Sequence, residues 1–441
     1  MNWTQLLSTK RFGMEEYHAK RADDRTEFQR DYDRLIFSAP FRRLQNKTQV
    51  FPLPGSVFVH NRLTHSLEVS CVGRSLGNSV AHRLQDKGGA VSPFLSEIGA
   101  VVSAACLAHD LGNPPFGHSG ENAIATFFSE GNGQQLQSEM RPDEWKDCTC
   151  FEGNANAFRL LTHQFQGRRP GGFVLTYSTL ASIIKYPYAS IFSDPRKQKF
   201  GFFTSEKADY EKIAAELGIP RSPLNPDRYA RHPLVYLVEA ADDICYQIMD
   251  IEDAHKLKIL TTDETKSLFF GFFDEKRKTR ILETMEMVTD ENEQIAYLRS
   301  SVIGKLIDQC SAAFVENEEC ILNGTFNSTL IKEIPAESAL AYQICSKTAV
   351  AKIYCSSEVL DVELAGYKII TTLLDEIVSA VLNPHKAYSQ QLLKRIPQQF
   401  DTQCGNTYGK IQAVLDYISG MTDIYALDLY RKITGMSIPT L

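Results

Sequence analysis

A histidine and an aspartate stand side by side at the end of a long apolar segment. Residues 97–108 are apolar nearly throughout and lead directly into His109 and Asp110, after which the chain continues through a Gly-Asn-Pro-Pro run at residues 112–115. Such a pair is costly to bury unless it meets a cation or another partner. Adjacent side chains diverge by about 100° on a helix, so they reach one ion only where the chain bends, as this run requires. Taken alone, the dipeptide also fits a core histidine bonded to a carboxylate.

Two further segments offer ligands of matching chemistry. His65 lies near the start of one helical pattern, and Asp242 lies on a second helical pattern that is otherwise apolar. Together with His109 and Asp110 they form a mixed nitrogen and oxygen donor set. Such a set suits manganese, iron or magnesium better than a structural zinc ion held by thiolates.

Composition narrows the class of protein. Of the 441 residues, 43% are hydrophobic and 23% are charged, which is ordinary for a folded protein and excludes a disordered or fibrous class. The first residues form no signal peptide and no stretch has membrane-spanning length, so a cytoplasmic protein is expected. The ten cysteines lack the spacing of a disulfide scaffold or a zinc ribbon. The close pair Cys148 and Cys150 is interpreted as incidental.

Charge is distributed unevenly along the chain. The net charge of −7 argues against a protein built throughout to coat nucleic acid, although a mean charge does not describe a local site. Two regions are rich in basic residues, the first holding Arg42, Arg43, Lys47 and Arg62 and the second Lys185, Lys197, Lys199 and Lys207. Taken singly, each of these is most simply a solvated surface charge.

The elements that position these residues are mainly helices. Residues 97–108 predict a helix buried at the centre of a bundle, and a second helix is predicted from Pro233 to about Asp253. Amphipathic helical patterns follow residue 260, whereas residues 131–154 are loop-like and strand signals are weak, the best at residues 172–177. The sequence therefore predicts an all-α fold, with a catalytic core over residues 1–260 and a helical C-terminal part over residues 261–441 packed on it.

The order His…His-Asp…Asp resembles the signature of the HD superfamily, and longer motifs sharpen the resemblance. Five segments are similar to segments of bacterial deoxyguanosinetriphosphate triphosphohydrolases (dGTPases), in the same order: residues 41–51, 61–69, 109–118, 239–246 and 420–426. They span nearly the whole chain. Five ordered matches are hard to explain by coincidence, whereas the His-Asp pair alone would prove little.

The resemblance implies an HD-domain helical bundle with additional C-terminal helices. It also implies hydrolysis of a deoxynucleoside triphosphate, dGTP first, to the deoxynucleoside and inorganic triphosphate. The implied cofactor is one divalent ion, Mg²⁺ or Mn²⁺ with iron, cobalt or nickel as alternatives, and its ligands are His65, His109, Asp110 and Asp242. Asp242 is preferred to Asp243 because it lies four residues before the tyrosine of the motif, and the reverse choice stays open.

Further positions match the catalytic and substrate-binding residues of the family. His118 and Glu121 match the catalytic pair, and their i, i+3 spacing lets them meet if a helix begins at residue 117. His118 would either orient the attacking water or protonate the leaving 5′-oxygen, and both roles stay open. The matched substrate contacts are Gln49 near the sugar 3′-hydroxyl, Tyr246 and Asp250 at the deoxyribose, and Arg62, Lys185 and Lys207 at the phosphates. The alternative for Tyr246 is a core aromatic of the buried helix.

The resemblance also implies partners for the protein. It implies a homo-oligomer, a hexamer in relatives, together with a nucleotide activator and single-stranded DNA as further partners.

Two alternative functions compete with the one that the resemblance implies. One alternative is another HD hydrolase, such as a 5′-nucleotidase or a cyclic-nucleotide phosphodiesterase, and the matches at Gln49 and Tyr246 argue against it. The other is a regulatory protein that binds nucleotides or single-stranded nucleic acid, and the intact His118 and Glu121 argue against it.

Overall fold

The computed structural model describes residues 1–16, 24–51, 59–88 and 92–437, which fold almost entirely into helices. Within these ranges the sheet is one antiparallel pair, β1 (Arg221–Ser222) and β2 (Asn225–Tyr229). The predicted all-α fold is confirmed. The α-helices in chain order are α1 (Trp3–Leu6), α2 (Glu27–Ile36), α3 (Ala39–Arg43), α4 (Arg62–Asp86), α5 (Ile98–Ala108), α6 (Gly117–Ser129), α7 (Pro142–Thr149), α8 (Gly153–Thr162), α9 (Tyr177–Ile183), α10 (Lys207–Glu216), α11 (Val235–Lys256), α12 (Thr262–Phe270), α13 (Glu275–Met285), α14 (Glu291–Glu316), α15 (Glu318–Leu322), α16 (Ala336–Thr348), α17 (Ser357–Leu382), α18 (Ala387–Leu393), α19 (Thr407–Ser419) and α20 (Asp423–Ile433).

Helices α4 and α5 form the centre of the bundle. Nearly every residue of α5 is buried, as expected for a helix that is apolar all round. A Cβ atom added at Gly77 of α4 would lie 2.7 Å from the Cα atom of Gly99 in α5. Glycine at these positions therefore lets the two backbones approach closely. Helices α11 and α14 also pack against α4, and α2 and α9 pack against α5.

The predicted helix boundaries near the chemical residues agree with the structure. Helix α11 begins two residues after Pro233, and α6 begins at Gly117, as the spacing of His118 and Glu121 requires. The weak strand signal at residues 172–177 does not become a strand. Thr176 instead caps α9, because its hydroxyl accepts from the N–H of Thr179, and its pairing is limited to an isolated bridge with Arg11.

Most of the buried apolar residues in the described part of the chain belong to two clusters, and each cluster draws on both sides of residue 260. The first surrounds α4, α5, α11 and α14, and its members include both Leu107 and Phe314. The second surrounds α6, α17, α19 and α20, and its members include both Phe128 and Leu373. Helices that follow residue 260 therefore contribute to both clusters. Among the described helices, none combines the length and the apolar composition needed to cross a bilayer.

Candidate active site

A cavity of about 550 Å³ opens where α4, α6, α11 and α17 meet the end of α5. Its volume falls within the range of small-molecule binding sites. Two of the predicted site residues, Lys207 and Asp250, do not line it. The others do, namely Gln49, Arg62, His65, His109, Asp110, His118, Glu121, Lys185, Asp242 and Tyr246.

Three side chains converge in this cavity as metal-ligand donors. The donor atoms of His65, His109 and Asp242 all lie within 4.8 Å of one another. Nε2 of His65 is 3.1 Å from Oδ1 of Asp242, and Nε2 of His109 is 3.6 Å from the same oxygen. The Nδ1–H of His109 donates to the carbonyl oxygen of Cys106 at 2.6 Å. This bond fixes the ring and leaves Nε2 to face the other two donors.

Asp110 lies at the edge of this donor group. One of its oxygens is 3.7 Å from Nε2 of His109 and accepts a hydrogen bond from the amide of Asn113. The other accepts from Nη1 of Arg62 at 2.9 Å. Burial acts to raise the pKa of Asp110, but the Arg62 guanidinium, His109 and His65 together outweigh burial and lower that pKa.

The two neighbouring aspartates of α11 have different environments. Burial acts to raise the pKa of Asp242, but His109 and His65 hold it well below its usual range. Burial raises the pKa of Asp243 to about 7, and Asp243 is not part of the donor group. The carboxylate that faces the two histidines is therefore that of Asp242.

The loop between α5 and α6 is held by residues distant in sequence. Phe116 has a left-handed backbone, with φ of 62°, and its N–H donates to one oxygen of Asp423 at 2.9 Å. The other oxygen of Asp423 accepts from the N–H of Thr48 at 2.7 Å. A Cβ atom at Gly117, where φ is 55°, would lie 2.5 Å from Nη2 of Arg62. The absence of a side chain at this position therefore lets Arg62 reach Asp110.

His118 and Glu121 form a hydrogen-bonded pair on the first turns of α6. The Nδ1–H of His118 donates to Oε2 of Glu121 at 2.7 Å, and the N–H of Gly153 donates to Oε1 at 2.7 Å. The hydrogen bond to Glu121 raises the pKa of His118, whose side chain is 80% exposed. Burial opposes ionisation of Glu121, but its bond to His118 lowers its pKa. The imidazole is thus oriented from one side, and its second nitrogen remains available to a ligand.

Among the described residues two lysines line the cavity, Lys185, which the resemblance places at the phosphates, and Lys199. Lys185 pairs with Glu239 at 3.1 Å. Lys199, on an irregular segment, pairs with Glu152 at 2.6 Å and lies 3.9 Å from Glu121. Lys207 instead begins α10, where it is exposed and outside the cavity. The sequence distinguishes Lys199 only as one member of a basic region.

The charges that line the cavity favour a bound cation. Its described lining includes six carboxylate side chains but three side chains of lysine or arginine: Asp110, Glu121, Glu152, Glu239, Asp242 and Glu363 against Arg62, Lys185 and Lys199. Excess carboxylate is unfavourable in a partly closed site unless a cation joins it. A divalent ion bound by the two histidines and Asp242 would reduce the excess of negative charge. The basic side chains of the lining could then contact a bound anion.

An aromatic pair lines the part of the cavity nearest the C-terminal half of α11. Tyr246 is 36% exposed and its ring stacks on Tyr354, with centroids 5.8 Å apart. The hydroxyl of Tyr354 donates to Asp250 at 2.7 Å, and Asp250 is 4% exposed. Asp250 therefore lies behind Tyr354 rather than on the cavity wall. Tyr354 itself follows a π-helical turn (Ala349–Ile353), and no sequence signal had indicated it.

The amide of Gln49 has an unsatisfied acceptor. Its Oε1 is buried and has no hydrogen-bond partner among the described residues, although Gln49 lines the cavity. Such an orphan acceptor is costly unless a ligand or water meets it. Gln49 is therefore poised to accept a hydrogen bond from a ligand.

Comparison with known protein families defines the class of this protein. Residues 62–142 match the family model of the HD domain, and residues 333–432 match that of the phosphohydrolase-associated domain. The first range holds the histidines and Asp110, and the second holds α17, which contributes Glu363 to the cavity. The protein is thus a hydrolase of the HD phosphohydrolase class.

Relatives over the full length narrow the class to one family. The chain is 37% identical to a deoxyguanosinetriphosphate triphosphohydrolase-like protein of Pseudomonas aeruginosa over 457 residues, covering 100% of both chains. It is 38% identical to a protein of the same name from Synechocystis, covering 99% of this chain and 100% of the relative. It is 31% identical to the deoxyguanosinetriphosphate triphosphohydrolase of Yersinia pseudotuberculosis, covering 92% and 93% of the two chains. The chain belongs to the deoxyguanosinetriphosphate triphosphohydrolase family.

Proposed function

We propose that the protein hydrolyses deoxynucleoside triphosphates, dGTP first, to the deoxynucleoside and inorganic triphosphate. The observation that carries the proposal is that the donor group of His65, His109 and Asp242 shares one cavity with the His118–Glu121 pair. The basic groups that face this cavity suit a polyphosphate. The hexamer, nucleotide activator and single-stranded DNA implied by the resemblance belong to the same proposal.

The residues present suit a divalent metal. Two imidazole nitrogens and a carboxylate oxygen form a mixed donor set, and Asp110 stands beside it as a fourth candidate ligand. Mg²⁺ or Mn²⁺ is the proposed ion. When bound, such an ion supplies Lewis-acid stabilisation of charge on phosphoryl oxygens and lowers the pKa of water.

His118 is suited to donate a proton. Its bond to Glu121 raises its pKa and so favours the imidazolium, while the exposed second nitrogen is directed away from that bond. A 5′-oxygen that leaves the α-phosphorus needs a proton, and a positioned imidazolium provides it. Of the two roles left open by the sequence, we therefore propose protonation of the leaving group for His118.

This role predicts a particular pH profile. With saturating metal, kcat/KM should stay level while His118 is protonated and should fall as pH rises through its pKa, which lies above 6.5. In Glu121→Gln the pKa of His118 should decrease, so the alkaline decline should move to lower pH. Initial rates measured between about pH 6 and 9 test this. A profile that instead rises with pH through this range would assign His118 to water activation.

Replacement of Lys199 and of Lys207 should have different effects on the steady-state kinetics, because only Lys199 lines the cavity. Lys199→Gln should raise KM about 10-fold because Lys199 faces the cavity and can neutralise a phosphate. Lys207→Gln is the matched control and should leave kcat and KM unchanged, since Lys207 is exposed on α10. Steady-state kinetics of both variants test the assignment. The opposite pattern would restore Lys207 to the substrate site.

Tyr246 is proposed to select deoxyribose over ribose. Its ring packs on Tyr354 and restricts the space beside the sugar, so a 2′-hydroxyl would lie against an aromatic surface without a partner. Tyr246→Ala should therefore reduce the ratio of kcat/KM for dGTP over GTP by about 10-fold. Kinetics with both nucleotides measure this ratio. A lowered melting temperature with an unchanged ratio would mean that Tyr246 is only a core aromatic.

One experiment distinguishes the proposed activity from its alternatives. The protein is incubated with each deoxynucleoside triphosphate and Mg²⁺ or Mn²⁺, and the products are identified by phosphorus NMR. Tripolyphosphate is the expected product. Orthophosphate or pyrophosphate would identify a different phosphohydrolase, and no turnover of any nucleotide with either metal would favour a binding protein.

A further inference from the structure

A second cavity, of about 200 Å³, lies apart from the candidate active site and shares no described lining residue with it. It lies between helix α3, the segment after α8 and the end of α19. Three basic side chains line it, Arg43, Lys47 and Arg168. The cavity therefore combines enclosure with several positive charges.

The charge of Arg43 is not neutralised. Its side chain is partly buried, and among the described residues none forms a hydrogen bond or an ion pair with it. Burial and the nearby Arg168 guanidinium both lower the pKa of Arg43. The two guanidinium groups thus repel each other where they line the cavity. Arg168 is exposed and also donates to Oε1 of Gln399 at 3.4 Å, and an anion bound beside Arg43 would offset the repulsion.

The carboxylate in the described lining of the cavity is already engaged. Both oxygens of Asp416 accept from Arg159, at 2.8 Å each. Arg159 also pairs with the buried Glu206. Both oxygens of Asp416 are thus occupied by Arg159, and none of the described ion pairs joins Asp416 to Arg43.

Lys47 adds a third donor to the cavity. Its ammonium donates to the carbonyl oxygens of Asn113 and Ser419, at 2.6 and 2.7 Å. An ammonium carries three hydrogens, so one remains after these two bonds. Lys47 is buried, and burial lowers the pKa of its ammonium to about 7, so an anion in the cavity would favour its charged form.

The size and walls of the cavity limit what it can bind. The lining also includes Phe165 and Phe400, whose rings meet edge to face with centroids 5.8 Å apart. At about 200 Å³ the cavity is below the range of about 300–1,000 Å³ typical of sites for drug-sized ligands. A nucleoside triphosphate is therefore too large, whereas a tetrahedral oxyanion fits.

We infer that this cavity binds a small phosphate-class anion, with the guanidinium groups of Arg43 and Arg168 as its principal ligands and Lys47 as a third. The planar guanidinium matches two oxygens of such an anion. The site is independent of the proposed hydrolysis, because it requires neither the metal ligands nor the His118–Glu121 pair.

Isothermal titration of the metal-loaded protein with inorganic phosphate tests this inference. Phosphate can also reach the candidate active site, so variants must separate the two sites. Arg43→Gln should weaken phosphate binding at one site about 10-fold or more, and Arg168→Gln should weaken the same site. Arg42→Gln is the matched control, because Arg42 is an exposed neighbour that donates to the carbonyl oxygen of Phe37. It should bind phosphate as the parent does.

Two results would overturn the inference. Unchanged phosphate affinity in Arg43→Gln and Arg168→Gln, or loss of all phosphate binding in Arg62→Gln, would assign binding to the candidate active site alone. Arg168 is exposed, so its replacement should not impair folding and decides the matter if Arg43→Gln is unstable. Crystals soaked in tungstate provide an independent location. An anomalous peak beside Arg43 is expected, and a peak confined to His65 and Asp242 would contradict the inference.

Discussion

Asp242→Ala is expected to lose stoichiometric divalent metal and to retain less than about 1% of turnover. The carboxylate of Asp242 faces both histidines of the donor group, and the two imidazoles already depress its pKa. Without it, two neutral nitrogens remain beside Asp110, whose oxygens are engaged by Arg62 and Asn113. Elemental analysis of the purified variant, combined with initial rates under excess Mn²⁺, measures both effects.

Asp243→Ala is the matched control for this prediction. It removes a carboxylate from the adjacent position of the same helix but should retain metal, since Asp243 is not part of the donor group. Alanine at His65, His109 or Asp110 should behave like Asp242→Ala. If Asp242→Ala keeps its metal while Asp243→Ala loses it, the assignment within the pair is reversed.

His118→Ala and Glu121→Ala should reduce kcat by about 10² to 10⁴-fold while metal content and substrate affinity are retained. Neither side chain belongs to the donor group, and their bond at 2.7 Å presents the imidazole to the cavity from a fixed direction. The loss should be similar in both variants, because Glu121 acts through the imidazole that it orients and charges. Single-turnover kinetics together with nucleotide binding by calorimetry separate the chemical step from affinity.

A different kinetic pattern would assign these residues another role. A raised KM with unchanged kcat would mean that the pair only holds substrate. Lost metal in either variant would mean that the pair supports the donor group instead. The double variant should be little worse than either single variant, since residues that act as one unit are strongly non-additive.

The parts of the fold that were predictable from sequence are those set by strong local patterns. Helix α5 is apolar on every face and ends where glycine and prolines bend the chain, so both its burial and the placement of His109 follow from the sequence. Helix α7 was missed because residues 131–154 contain many turn formers. Its start depends on Pro142 in the first turn and on Glu144, whose carboxylate accepts from the N–H of Arg141.

Two site residues could not be predicted because tertiary contacts alone bring them to the cavity. Lys199 lies on an irregular segment, and its position depends on pairing with Glu152. Tyr354 reaches Asp250 across 104 positions in sequence, after a π-helical turn that no periodicity indicated. The same contact explains why Asp250 is withdrawn from the cavity wall, although it shares a helix face with Asp242 and Tyr246.

Asp423 has a consequence for how the site is completed during synthesis. Every proposed metal ligand has been translated once the ribosome passes residue 242, yet the carboxylate that holds the N–H groups of Thr48 and Phe116 arrives only at residue 423. Elongation proceeds at about 5–20 residues per second and earlier segments tend to fold first. A nascent chain therefore lacks both of these hydrogen bonds for about 10–40 seconds after its proposed metal ligands are complete, and they form only when the start of α20 emerges.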